Sequence, residues 1–218
     1  MKIFFIATKI LKKGIYVKFH KKFKFNNAEE TIFMSTRSMI GIENSDGSIQ
    51  AIYCHSDGYV EYVGWMLYSR YNTEEKLKKL ISLGDISSIG PRIGKKIDYD
   101  SYWRNSDYYN ANRNQVVAYH RDRGEPIDKH NYKDKSDYAA SVGFGIEFIY
   151  LYSNGVWYVR KPGHNTRYCS LEKRLRYSEM KNSYDMYVID KENNYTATEK
   201  KDFKEAYLRL FPDKVNNK

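Results

Sequence analysis

The chain is poor in the residues that mark secreted and fibrous proteins, with 2 cysteines and 4 prolines in 218 residues. Cys54 and Cys169 lie far apart with no secretory signal before them, which excludes a disulfide framework and points to free thiols in the cytoplasm. Long apolar runs are also missing. The opening Met1-Lys-Ile-Phe-Phe-Ile-Ala7 is interrupted by Lys9, Lys12 and Lys13, too soon for a signal-peptide core or a membrane span. No membrane partner is expected. There is no Walker-type loop, and Gly90-Pro-Arg-Ile-Gly94 is no substitute for one; compact zinc spacings are lacking too. No cofactor and no metal are therefore expected.

What is present is aromatic and basic. Phe, Trp and Tyr make up 16% of the chain, 22 of them tyrosines, and a chain so rich in rings is ordered. Tyrosine buries a ring while keeping a polar tip, which suits a sheet surface or a wet pocket. The net charge of +10 invites a nucleic-acid reading. Residues 1–33 hold eight lysines and two glutamates, so +6 of the excess lies there and +4 remains for the rest. Such a remainder is ordinary for a soluble domain. At Met34 the lysine-rich preamble gives way to a globular pattern, and Ala28-Glu-Glu-Thr31 is what a purine-rich ribosome-binding stretch would encode. Residues 1–33 are accordingly expected to be a non-native leader or a disordered basic extension, residues 34–212 one domain, and residues 213–218 a frayed tail.

Runs 38–43 and 48–54, separated by a turn ending Asp46-Gly47, predict a hairpin. Apolar spacing predicts a helix over 60–71, and Asn72 with Glu75 opens a second that ends at Gly84. Residues 85–114, Gly- and Ser-punctuated and then tyrosine-rich, read as a long surface excursion. Residues 115–119 read as a strand leading into a charged segment, and 137–142 as a single helical turn. The strongest hairpin signal joins 146–152 to 156–160 through Ser153-Asn-Gly155. Residues 184–189 add a candidate strand, and 198–210 a helix stopped by Pro212. The expected fold is α+β, a mainly antiparallel sheet built from hairpins and packed with two or three helices.

Three constellations carry chemistry. In the first, His55, Asp57 and Tyr59 occupy a loop at a helix start, where free N–H groups can hold an anion and His55 can act near neutral pH. A structural role for Asp57 as cap and Gly58 as turn residue is the plain alternative. In the second, His120, Arg121, Asp122, Arg123 and Glu125 end a strand, so alternation puts Arg121 and Arg123 on one face as a fork for phosphate or carboxylate. An exposed ion-pair ladder is its alternative. Were the two segments to meet, His55, Asp57, His120 and Asp122 would make a metal-assisted or His/Asp-based hydrolase or nuclease. The third is the basic run Arg167, Lys173, Arg174 and Arg176 interleaved with Tyr168 and Tyr177, a nucleic-acid pattern or a charged helix face. Cys54 suits a buried small residue better than a nucleophile.

The segments Met34-Ser-Thr-Arg-Ser38, Ile52-Tyr-Cys-His-Ser-Asp-Gly-Tyr59, Leu80 to Gly90, Tyr119 to Glu125 and Glu147 to Trp157 together resemble an uncharacterised family of small phage and prophage proteins. Its members begin at Met-Ser-Thr-Arg-Ser and carry a Tyr-Cys-His-x-Asp-Gly-Tyr motif. The resemblance spans 34–159. Where that pattern has Trp and Pro, this chain has Ser56 and Val60, so aromatic stacking at the loop is not carried over. The resemblance implies an accessory protein of the host cytoplasm, non-enzymatic, with a host-modulating or counter-defence role. Its expected partner is an anionic, nucleotide-like small molecule or a host protein, with nucleic acid as the alternative.

Overall fold

The first hairpin sets the frame of the sheet. Strand β1 (Arg37–Glu43) pairs antiparallel with β2 (Ile49–Cys54) across a tight turn in which Gly47 takes a φ of +85°. Asp46 closes that turn by accepting from the Ser48 amide at 2.9 Å. The computed structural model describes residues 35–143, 145–163, 166–178, 180 and 194–213, all within one compact unit, Ser35–Lys218. The expected leader (1–33), candidate strand (184–189) and residues 214–218 of the expected tail lie outside the described residues.

The second hairpin, β6 (Ile146–Ser153) with β7 (Val156–Arg160), forms as its Asn154-Gly155 turn predicts, both residues having positive φ. It docks on β1 in parallel. Three short strands, β3 (Ile86–Ser88), β4 (Val117–Ala118) and β8 (Cys169–Ser170), complete the order β4-β3-β2-β1-β6-β7-β8, and β5 (His130–Tyr132) also pairs with β2. Because β1–β6 and β2–β3 are both parallel, the sheet is mixed, which corrects the expected mainly antiparallel one. The reason is topological. Each hairpin is antiparallel within itself, but the strands that dock them are joined by crossovers, and crossovers make parallel neighbours.

More helices form than the two or three expected. A π-helical turn (Val60–Gly64) runs into α1 (Trp65–Ser69), and α2 (Glu74–Ile81) comes next, capped by Thr73 where Asn72 was expected. The stretch 85–114 is no bare excursion. It carries β3, α3 (Tyr99–Arg104) and α4 (Ser106–Asn112), and buries Ile86, Ile97 and Tyr102. The expected single turn at 137–142 is α5 (Lys135–Ser141), whose Tyr138 is wholly buried. Helices α6 (Leu171–Arg176) and α7 (Ala197–Leu210) complete the set; α7 opens on a capping box between Thr196 and Glu199.

Strand alternation divides these elements between the two faces of the sheet. On the first, Ile40, Ile52, Cys54 and Tyr150 pack under α1, α2, α6 and α7, with Trp65 stacked on Phe203 at 5.8 Å. On the second, Met39, Ala51, Ile149 and Leu151 lie under α5, which inserts Tyr138 above Gly41. A Cβ on Gly41 would lie 3.0 Å from that ring, so a larger residue there would press on Tyr138. A separate cluster of Ile97, Tyr102 and Val117 covers the β4 end.

Candidate functional site

Between α5 and the α3–α4 cover, the second face turns polar. The change happens within one strand: Cys54 faces the buried side, while Tyr53 and His55 are only partly buried. Burial pushes the Cys54 thiol up to about 12, so no thiolate nucleophile forms there.

Two short strands share the outer edge of β2. Strand β5 takes Ile49 to Ala51 and β3 takes Cys54. The Tyr53 amide falls in the gap between them, and the Asp85 carboxylate accepts it at 2.7 Å. Both Asp85 oxygens also lie 3.1 Å from His130 Nε2, at the first residue of β5. That hydrogen bond raises the His130 pKa above 6.5, against the opposing effect of burial.

Beside this pair, Tyr53 and His55 form a relay next to Arg37: the Tyr53 hydroxyl lies 2.9 Å from His55 Nδ1, and the Arg37 charge acts on both groups. Where the hydroxyl donates its hydrogen to Nδ1, the hydrogen of neutral His55 stands on Nε2. Among the described residues Nε2 has no partner. Burial, and then the Arg37 charge, lower the His55 pKa below 6.5, so at neutral pH the ring is an uncharged donor. The strip continues across β3 through Ser87, on the way to Tyr119, whose hydroxyl pKa burial raises to about 12. It ends at Arg123, whose guanidinium stands 4.8 Å from the Tyr99 ring and 5.3 Å from that of Tyr119. An open cleft of about 370 Å³, lined by Lys96, Ile97, Asp98, Tyr99, Asp100, Asp122 and Arg123, adjoins that end.

The two charged segments singled out in the sequence both reach this end of the sheet, with β3 between them. The His55 and Ser56 amides bond the carbonyls of Ile86 and Ser87, and the Tyr119 amide bonds that of Asp85. Two strand spacings, roughly 9–10 Å, separate them. The second segment is not a strand end, however. Tyr119–Arg123 is a π-helical turn, so strand alternation does not apply and Arg121 and Arg123 form no fork. Arg121 is spent inside the protein: its Nη1 donates to Ile93 O at 2.7 Å, its Nε to Asp122 at 2.8 Å, and Nη2 to Val116 O and Asp122. Asp122, fully buried as a side chain, also accepts the amides of Ile97 and Ala118. His120 turns away, with Nδ1 2.7 Å from Glu125 O, and Glu125 pairs with Arg123 at 2.8 Å. Among the described residues His55, Asp57, His120 and Asp122 form no metal-type cluster.

The first loop differs from expectation as well. Asp57 has a φ of +56°, and Tyr59, half-exposed, sits 6.2 Å from the Tyr62 ring. Gly58 is required where it stands, because a Cβ would meet Ser38 at 2.8 Å. The next element in the chain is a π-helical turn, which offers no regular α-helical N-terminus for an anion. In the basic run, Arg167, Lys173 and Arg174 are exposed, while Arg176 is paired with Glu172 at 2.7 Å. Arg37, Asp85, Asp128 and His130 escaped the sequence reading. Asp128 lies outside β5 and meets Asp85 through the backbone, so no strand pattern in the sequence marks it. Comparison with protein-family models, curated proteins and solved structures gives no match to this chain.

Proposed function

We propose that the protein is a non-enzymatic binder of an anionic, ring-bearing small molecule of nucleotide type, held along the strip from His55 to Arg123. The observation that carries this reading is the relay. Tyr53 engages His55 Nδ1, so that Nε2–H serves as a donor with no partner among the described residues. Around it stand a guanidinium in Arg37, a second in Arg123, and the rings of Tyr53, Tyr99 and Tyr119, which suit a phosphate and a base respectively. Among the described residues no activated nucleophile faces the strip, which favours binding over covalent chemistry. The resemblance to phage and prophage proteins supplies the setting: an accessory protein in the host cytoplasm that withholds a nucleotide-type signal from host defence.

The test is calorimetry on the full chain against a panel of mononucleotides, cyclic nucleotides, cyclic dinucleotides and inorganic phosphate. At least one nucleotide binds, and His55→Ala weakens it about tenfold, the value of one charge-assisted hydrogen bond. Arg121→Lys, a change inside the protein, leaves the affinity within twofold. Equal affinity in the His55→Ala protein, or no binding across the panel, overturns the reading. A second reading, nucleic acid bound across α6, is favoured by Tyr177, which is 81% exposed beside Lys173 and Arg174. Its mark is an affinity for single-stranded oligonucleotides that falls steeply with salt.

A further inference from the structure

We infer that Asp85, Asp128 and His130 form a binding site for a divalent transition-metal ion. One carboxylate oxygen from each aspartate and a ring nitrogen of the histidine all lie within 4.8 Å of one another. Zinc bound to such donors at about 2.0–2.2 Å sets them roughly 3.4 Å apart. The Asp85–His130 pair is already at 3.1 Å, so the remaining adjustment falls on Asp128, an exposed side chain free to rotate.

Each ligand is anchored by its own backbone. The Tyr53 amide holds the Asp85 carboxylate, as the outer-shell partner of a metal ligand does. Pairing with Ala51 fixes His130 in β5. The Asp128 carbonyl accepts the Asp85 amide at 3.0 Å, and the chain passes so closely that a Cβ on Gly84 would meet that carbonyl at 2.8 Å. Yet among the described residues the Asp128 carboxylate has neither a hydrogen bond nor an ion pair. The fold therefore holds two carboxylates together around a single imidazole, a set of like charges that a cation relieves. The imidazole favours zinc over magnesium or calcium, the two carboxylates also suit manganese, and three protein ligands leave a coordination position open. This inference is independent of the proposed anionic ligand, since the metal is probed alone.

The experiment is titration calorimetry of the full chain, stripped with EDTA and dialysed, with zinc chloride and then manganese chloride. The wild type takes up one ion per chain. Asp128→Asn, at an exposed and unpartnered side chain, weakens binding at least tenfold, His130→Gln abolishes it, and Asp107→Asn, a surface carboxylate of α4, changes nothing. Should His130→Gln misfold by circular dichroism, Asp128→Asn decides alone. Failure of the wild type to bind either ion, or undiminished binding by Asp128→Asn, overturns the site and assigns any bound metal to side chains elsewhere.

Discussion

The two faces of the sheet use the same strands to opposite ends. Cys54 and His55 are adjacent in the chain, yet one is sealed beneath helices and the other presents a ring nitrogen with no partner among the described residues. The first face is closed by four helices and carries stability. The second is covered at both ends, by Tyr138 of α5 and by Tyr102 of α3, and left polar between them. Alternation along β2 thus separates the residues that hold the fold from those available for a ligand.

The comparison is broken most severely on the first face. Phe203→Ala removes the ring stacked on Trp65 and is expected to cost about 3–5 kcal/mol in chemical denaturation; a loss below about 1 kcal/mol would mean that face is not the main core. Arg121→Ala comes next. It leaves the buried Asp122 without its cation, and a destabilisation of about 3 kcal/mol is expected from breaking a buried pair. That outcome marks Arg121 as part of the framework, contrary to its reading as a ligand fork.

Tyr138→Phe sharpens the comparison on the second face. The ring stays, the hydrogen bond to Tyr150 O at 3.1 Å is lost, and the expected cost is about 1 kcal/mol.

How much of the fold was legible in the sequence depends on the range of the forces involved. Both hairpins were readable because Asp46-Gly47 and Asn154-Gly155 encode their turns locally. Helix α7 was readable from its apolar spacing and Pro212. The parallel docking of β6 on β1 was not, because strand order depends on crossovers and leaves no local trace. Residues 85–114 misled for a related reason: α3 and α4 are short helices whose order comes from Tyr102 packing on Ile97 and Val117. At the site, His55 and Arg123 were picked from their composition. Asp85 and His130 were not, since they meet only where β3 and β5 divide the edge of β2, and Arg37 reaches this face only because β1 lies on the other side of β2.

The smallest effect is the most discriminating within the second face. His130, raised above 6.5 by Asp85, contributes stability that is present below 6.5 and lost as pH rises through its folded-state value. His55, lowered by burial and Arg37, contributes stability that is present above 6.5 and lost as pH falls through its folded-state value. Proton NMR titration should therefore find the two imidazoles on opposite sides of 6.5. Coincident midpoints would show that the relay and the ion pair do not form.

The most direct measurement is a long-range proton–nitrogen correlation spectrum of the full chain labelled with ¹⁵N-histidine, recorded at neutral pH before and after adding each nucleotide of the panel. The account predicts that His55 is the Nε2–H tautomer, and that its Nε2 resonance moves on adding the nucleotide that binds while His120 stays in place. A His55 protonated on Nδ1, or a bound nucleotide that moves His120 and leaves His55 unchanged, would contradict it.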